Sequence, residues 1–138
     1  MDELFVDECI SIIVIDNQEN YANALNDYID ICNYIGKFQV KLESNIKEAI
    51  KEISKKPNCI VVLDAYVGKE KSIKFLKSVL NKDVKTVLVS DNSSDDIKKM
   101  AKKYGAIGFL KKKYEPEDLD SLFEMIFKNS LSREIIIN

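Results

Sequence analysis

Polar side chains follow four short apolar runs of the chain, each at the point where the run ends. They are Asp16 with Asn17, Asp64, Ser90 and Lys112. If the runs are parallel strands, their carboxyl ends meet at one edge of the sheet, where open α/β sheets bind ligands. Two carboxylates at such an edge repel each other unless a cation lies between them, and their oxygen atoms suit Mg²⁺. A carboxylate nucleophile, a hydroxyl and a lysine around that cation are the groups that an aspartyl phosphate requires.

The elements that would position these groups alternate between strand and helix five times. Each strand-like segment is followed by apolar residues at helical spacing, the last set running from Leu119 to Phe127. The strand-like segments are 11–15, 38–42, 59–63, 86–89 and 107–110. Runs that are apolar throughout indicate burial on both faces and therefore a parallel sheet. Right-handed crossovers then place helices on both faces, which predicts a doubly wound α/β fold.

Local signals mark several helix boundaries. Ser44 or Asn45 is expected to cap the second helix, and Pro57-Asn58 to end it. Ser93 has capping-box spacing before the fourth helix, and Gly105 stands where a glycine C-cap belongs. Pro116 fits the first turn of the last helix.

Length and composition fit one domain. The chain has 138 residues, and a 46% hydrophobic content favours a packed core over disorder. We expect a single domain over 1–138, with a core of about 11–127 and terminal extensions at 1–10 and 128–138. The apolar run 135–137 is left open as an edge strand, a contact segment or the stub of a further part.

The surroundings of the protein are also constrained by the sequence. Its apolar runs are far shorter than the roughly 20 residues that cross a bilayer, so no membrane association is expected. No basic residue precedes Lys37, so no signal peptide is readable and a cytoplasmic location is predicted. The net charge of -2 argues against nucleic acid as a direct partner. Between 98 and 113 every charged residue is lysine, which is interpreted as a solvated face or, alternatively, a partner-binding face.

Several kinds of catalytic site are excluded. The chain has no histidine, which removes Ser-His-Asp and Cys-His chemistry and argues against zinc. Its cysteines, Cys9, Cys32 and Cys59, are widely spaced and are interpreted as buried free thiols. A phosphatase of the haloacid dehalogenase type would need a second Asp two residues after Asp64, and the residue there is Tyr66. A flavin-binding flavodoxin would need a Ser/Thr/Gly-rich loop after the first strand, which this sequence lacks.

The sequence resembles the receiver domains of two-component response regulators over about residues 11–127. The acidic pair of that family aligns with Asp16-Asn17 in IIVIDNQE, and its phospho-acceptor with Asp64 in IVVLDAYVG. Its Ser/Thr aligns with Ser90 in TVLVSDN, and its lysine with Lys112 in GAIGFLKKKYEPEDL. The aromatic switch position, three residues before the lysine, is Phe109. The resemblance implies a flavodoxin-like, five-stranded parallel sheet in the order 2-1-3-4-5.

The resemblance also implies a chemistry for the strand ends. Asp64 would accept a phosphoryl group from a phosphohistidine on a sensor histidine kinase or a phosphotransfer protein. Mg²⁺ would be held by Asp16, Asn17, Asp64 and the backbone carbonyl of Tyr66. The protein would be a signalling module rather than a metabolic enzyme, with limited self-catalysed phosphorylation and dephosphorylation.

A switch is implied by the same resemblance. Lys112 would pair with the phosphoryl oxygens, Ser90 would move to hydrogen-bond them, and Phe109 would swing inward. The surface read by a downstream protein would be the fourth helix, fifth strand and fifth helix, which hold the lysine-rich stretch. The oligomeric state is left open, with a homodimer among the alternatives.

Two departures from the family pattern keep an alternative function open. Asn17 replaces an acid of the metal site with a neutral oxygen donor, which predicts weak Mg²⁺ binding. Asp91 stands where a small residue usually lines the access to the acceptor, and its charge would repel an incoming phosphate. The alternative is a degenerate receiver-like module that binds partners without being phosphorylated.

Overall fold

The computed structural model describes residues 10–34, 36–55, 59–80, 82, 84–91, 95–112 and 115–137, with side chains as far as Lys128. Strands and helices alternate along this part of the chain. The strands are β1 (Ile10–Ile15), β2 (Phe38–Glu43), β3 (Cys59–Asp64), β4 (Val84–Ser90) and β5 (Gly108–Lys111). The helices are α1 (Asn20–Ile31), α2 (Ile46–Lys55), α3 (Lys69–Val79), α4 (Asp95–Lys103) and α5 (Pro116–Ile137). A 3₁₀ turn, Ala65–Val67, joins β3 to α3.

All strand pairings in the described sheet are parallel, and the order is β2-β1-β3-β4-β5. The predicted fold and strand order are therefore confirmed. β1 and β3 are neighbours whose register pairs Ile15 with Leu63, so both strands end at the same level. β2 and β5 are the outer strands, and β2 carries Lys41, which forms an ion pair with Glu52 on α2 at 2.7 Å.

The sheet separates two apolar cores. Alternate residues of β1 illustrate the division, since Ile12 packs with α1 and α5 while Ile13 packs with α2, α3 and α4. Both side chains are at most 1% exposed. Burying a side chain of this size contributes about 1.5–3 kcal/mol, so the central strands hold their ends firmly in place.

The ends of several helices follow the local signals in the sequence. The Asn45 side chain accepts a hydrogen bond from the backbone N–H of Lys47 at 2.7 Å, which caps α2. Gly105, two residues after the end of α4, has φ +93°, a conformation that favours glycine. Pro116 is the first residue of α5, as predicted. The expectations for Cys9, Pro57-Asn58 and Ser93 fall outside the described residues.

Three segments differ from the expectations. β5 begins at Gly108 rather than at 107, and β4 begins at Val84, two residues before the predicted run. The final helix continues to Ile137, so the alternative of an edge strand at 135–137 is wrong. No glycine or proline follows Pro116, and nothing in the sequence interrupts the helix after Phe127.

Two further expectations concern the burial of the cysteines and the presence of membrane-spanning helices. Cys59 is buried as predicted, whereas Cys32 is only half-buried. Among the described residues, none of the helices has the length and hydropathy needed to cross a bilayer.

Candidate functional site

Two acidic side chains meet where the central strands end. Asp16 is the first residue after β1, and Asp64 is the last residue of β3. The neighbouring strands end level, and the two carboxylates come together as the sequence predicts. Asp16 is 0% and Asp64 6% exposed, so water screens neither charge well.

Lys112 bridges the two carboxylates. Its Nζ lies 2.6 Å from Asp16 Oδ2 and 2.5 Å from Asp64 Oδ2, and its side chain is 7% exposed. One buried ammonium thus faces two buried carboxylates, which leaves the three groups with one net negative charge. The contact with Asp16 is absent from the sequence-based expectations, which give Lys112 only phosphoryl oxygens as partners.

The other oxygen of each carboxylate is held by the chain that follows it. Asp16 Oδ1 accepts a hydrogen bond from the backbone N–H of Gln18 at 3.1 Å. Asp64 Oδ1 accepts one from the backbone N–H of Tyr66, also at 3.1 Å. Aspartate commonly bonds the backbone two residues on, and here both turns fix the carboxylates with Oδ2 toward the lysine.

The environment shifts the proton affinities of this cluster. Burial raises the pKa of Asp64 above its ordinary value; the hydrogen bonds from Lys112 and Tyr66 oppose the shift, and the charge of Asp16 adds to it. Burial alone would lower the pKa of Lys112, but its hydrogen bonds to Asp16 and Asp64 raise it instead. The lysine therefore stays protonated throughout the neutral range and remains the counter-charge of the pocket.

Ser90 and Phe109 lie on the strands beside the acidic pair. Ser90 is 4% exposed at the end of β4, and its backbone carbonyl accepts a hydrogen bond from the N–H of Lys112 at 2.7 Å. That bond fixes the point from which the lysine side chain extends. Phe109 is half-buried on β5 against the core of α3 and α4, and the Nζ of Lys98 lies 5.9 Å from its ring centroid. A cation–π contact thus links the predicted switch residue to α4.

Three residues that the sequence analysis discusses lie at the exposed rim of the site. Asn17 and Asp91 are exposed, directly after the buried Asp16 and Ser90. Tyr66 is 42% exposed, and its hydroxyl donates a hydrogen bond to the backbone carbonyl of Ser44 at 2.8 Å. This bond ties the turn after β3 to the end of β2. Sequence reasoning missed it, and since its acceptor is a backbone atom of a distant loop, no residue pattern could reveal it.

The donor set of the site fits a hard cation. It consists of two carboxylates together with neutral oxygen atoms, the ligand type that Mg²⁺ prefers. Within the described residues there is no group of three or more acidic, cysteine or histidine side chains that could hold a metal ion. Asn17 offers a neutral oxygen where the family pattern has a third carboxylate, and weak Mg²⁺ binding stays a prediction.

Comparison with known proteins places this site in a family. The family model of the response regulator receiver domain matches residues 12–124. The chain belongs to the response regulator receiver domain family. The resemblance stated from the sequence is confirmed, and the protein is a receiver domain of two-component signalling, a family of signalling modules that are generally not enzymes.

Individual relatives of this receiver domain are distant. The two-component response regulator EHD1 of rice (Oryza sativa subsp. indica) is 25% identical over 125 residues, which cover 88% of this chain and 36% of that protein. The chain thus spans about a third of the length of the curated relatives it matches.

Solved structures share the fold. A response regulator from Thermotoga maritima has a TM-score of 0.73 at 21% identity, covering 87% of this chain and 96% of that chain. A response regulator from Burkholderia pseudomallei with a phosphorylated aspartic acid, a calcium ion and citrate has a TM-score of 0.67 at 19% identity, covering 94% and 75%. At these identities the likeness concerns the fold alone.

Proposed function

We propose that this receiver domain is phosphorylated on Asp64 and thereby switches a protein-interaction surface. The observation that carries the proposal is the buried cluster in which the Asp64 carboxylate lies beside Asp16 and within 2.5 Å of the Lys112 ammonium. A structural ion pair would need only one of the two carboxylates. The second acid gives the pocket an excess negative charge, which suits a cation and a phosphoryl group arriving together.

The transfer proceeds from a phosphohistidine on a sensor histidine kinase or a phosphotransfer protein. A carboxylate oxygen of Asp64 forms a bond to phosphorus, the phosphorus–nitrogen bond breaks, and the imidazole nitrogen keeps the electron pair. Asp16, Asn17, Asp64 and the backbone carbonyl of Tyr66 would hold Mg²⁺. The ion, when bound, offsets negative charge on the transferring group. The N–H of Tyr66 keeps the nucleophile oriented.

The switch follows from the change of charge. A phosphoryl group on Asp64 offers Lys112 new oxygen partners and draws the ammonium away from its present position between the two acids. Ser90, at the adjacent strand end, supplies a hydroxyl to the phosphoryl group, and Phe109 turns inward. Since Lys98 lies over the Phe109 ring, that movement reaches α4 directly. The surface formed by α4, β5 and α5 then binds a downstream protein.

Two comparisons support the proposal. The related rice protein is named a two-component response regulator, and the Burkholderia structure contains a phosphorylated aspartic acid with a divalent cation. A cytoplasmic location stays a prediction for this chain, and a homodimer stays an open alternative.

Mass spectrometry of the intact protein tests the proposal. Incubation with acetyl phosphate and Mg²⁺ should add the mass of one phosphoryl group to the wild type and none to Asp64→Asn. The matched control is Asp91→Asn, which removes an exposed carboxylate of the same pocket rim and should retain the adduct. The absence of an adduct at high Mg²⁺, also with a competent kinase, would contradict phosphorylation.

The second candidate is a receiver-like module that binds partners without phosphorylation. The exposed neutral Asn17 favours it, as does the exposed charge of Asp91 beside Ser90. In that case Lys112 would serve as a permanent counter-charge, and the protein would bind the same partner equally well as Asp64→Asn.

A further inference from the structure

A groove between α3 and α4 shares no lining residue with the acidic pocket. Its volume is about 250 Å³, enough for one large side chain. Ile73 on α3, Met100 on α4 and Tyr104 form the apolar part of its lining. Met100 is buried, whereas Ile73 and Tyr104 are half-buried. The groove therefore offers apolar surface that a side chain from elsewhere can cover.

Lysines surround this apolar surface. Lys69, Lys99 and Lys103 line the groove together with a single acid, Asp96. All four are exposed. None of the three lysines forms an ion pair within 4.0 Å with another residue in the part of the chain that the structure describes. The groove thus has a net positive charge that its own residues do not neutralise.

A second observation places positive charge around the ring of Tyr104. The Nζ atoms of Lys77 and Lys103 each lie 5.4 Å from the ring centroid of Tyr104. Each cation is attracted to the aromatic ring, and both add to the positive charge around Tyr104. A carboxylate beside either ammonium group would be attracted to it.

We propose that the groove between α3 and α4 binds an acidic peptide segment of a partner protein, with one apolar side chain of that segment inserted against Ile73, Met100 and Tyr104. Charge complementarity selects the acidic residues, since exposed lysines act as flexible point charges for carboxylates. The apolar floor selects a peptide over a small inorganic anion, which would leave that surface uncovered. The overall charge of -2 disfavours a nucleic acid at the same groove.

The proposed binding does not require phosphorylation of Asp64. The lining residues of the groove belong to α3, to α4 and to the position after α4, and none of them is a hydrogen-bond partner of Lys112, Asp16 or Asp64 among the bonds of the described residues. Asp64→Asn should therefore bind the peptide as the wild type does. Failure of the peptide to bind and failure of phosphoryl transfer are separate results.

Fluorescence anisotropy with the full chain tests the proposal. The probe is a fluorescein-labelled peptide, Glu-Glu-Leu-Phe-Glu-Glu. Lys99→Glu combined with Lys103→Glu should weaken binding about tenfold or more. The matched control, Lys102→Glu, reverses an exposed charge of the same helix outside the groove and should change affinity less than about twofold. Affinity should also fall as NaCl rises from about 50 to about 500 mM.

Control probes distinguish the proposed peptide from other ligands that the groove could bind. A peptide with Ser in place of Leu and Phe should bind about tenfold more weakly, because the apolar floor then stays exposed. Equal affinity of that peptide, or an equal effect of Lys102→Glu, would show unspecific attraction of acids and overturn the proposal. Tighter binding of a single-stranded oligonucleotide than of the peptide would overturn it as well.

The acidic residues of the chain itself provide a last control. Residues 2–8 also combine acids with Leu4, Phe5 and Val6. The full chain with Asp2, Glu3, Asp7 and Glu8 changed to Gln or Asn should bind the probe with unchanged affinity. Clearly tighter binding by this variant would assign the groove to the chain's own first residues and overturn the assignment to a partner. Sedimentation velocity showing dimers that dissociate in Lys99→Glu with Lys103→Glu would assign it to a second copy, with the same consequence.

Discussion

Lysine has opposite surroundings in two regions of this domain. In the acidic pocket, Lys112 is 7% exposed and lies within 2.6 Å of two carboxylates. In the groove between α3 and α4, Lys99 and Lys103 are exposed and form no ion pair with the other described residues. A buried charge must find its partner within the fold, whereas an exposed one is free to find it on another molecule. In the functions we propose, the pocket therefore serves internal switching and the groove serves recognition.

The strongest test of this contrast removes one lysine from each region. Lys112→Met leaves two buried carboxylates facing each other and should lower the free energy of unfolding by about 3 kcal/mol at neutral pH. Lys103→Met should lower it by about 0.5 kcal/mol or less, because water already solvates that ammonium. Urea unfolding followed by circular dichroism measures both.

The contribution of Lys112 to the free energy of unfolding should depend on pH. The raised pKa of Lys112 means that its stabilisation is present below its ordinary value of 10.5 and is lost as the pH rises beyond it. The loss in free energy of unfolding caused by Lys112→Met should become smaller on acidification. The reason is that the Asp64 carboxyl, whose pKa is raised, takes up a proton. A deficit that is the same in both lysine variants would contradict the contrast between pocket and groove.

A smaller effect is expected from adding negative charge at the pocket rim. Asn17→Asp should tighten Mg²⁺ binding about tenfold, since a third carboxylate then faces the cation. Asp91→Asn changes a neighbouring exposed charge outside the expected ligand set and should leave the Mg²⁺ affinity within about twofold. Titration of amide NMR shifts with Mg²⁺ measures both variants. An unchanged affinity of Asn17→Asp would show that position 17 is not a ligand.

The smallest expected effect is a shift in the proton affinity of Asp64 in metal-free protein. Its pKa in the folded state should lie above the ordinary value of 3.8. The folded state therefore gains stability relative to the unfolded state as the pH falls from the raised pKa toward the ordinary one. Asp16→Asn should lower that pKa, because a like charge is removed, and Lys112→Met should raise it. Carboxyl ¹³C shifts recorded in EDTA follow the titration. Shifts in the reverse directions would contradict the charge arrangement of the pocket.

The proximity of the two acidic residues can be predicted from the sequence because it depends on a single rule of sheet geometry. Parallel neighbouring strands end at the same edge, so polar residues that follow buried runs must meet there, as Asp16 and Asp64 do. The bridge from Lys112 to Asp16 escapes this rule. Lys112 follows β5 and Asp16 follows β1, which are not neighbours, so their contact depends on the reach of a long side chain and on the course of its loop.

Other features depend on packing that the sequence does not encode locally. The groove exists because of the spacing between α3 and α4, which no residue pattern specifies, although the lysines around it are visible as a charge run. The extension of α5 to Ile137 lies beyond the strong apolar period that ends at Phe127, where periodicity alone ceases to distinguish helix from other structure.

The outer strands of the sheet have a consequence for how the protein associates with others. β5 has only four residues and ends at the exposed Lys111, while β2 carries Lys41 paired to Glu52. Short or charged outer strands resist the addition of a foreign strand, the usual first step of amyloid-like aggregation. We therefore expect copies of this domain to resist pairing of their sheets, even at high concentration.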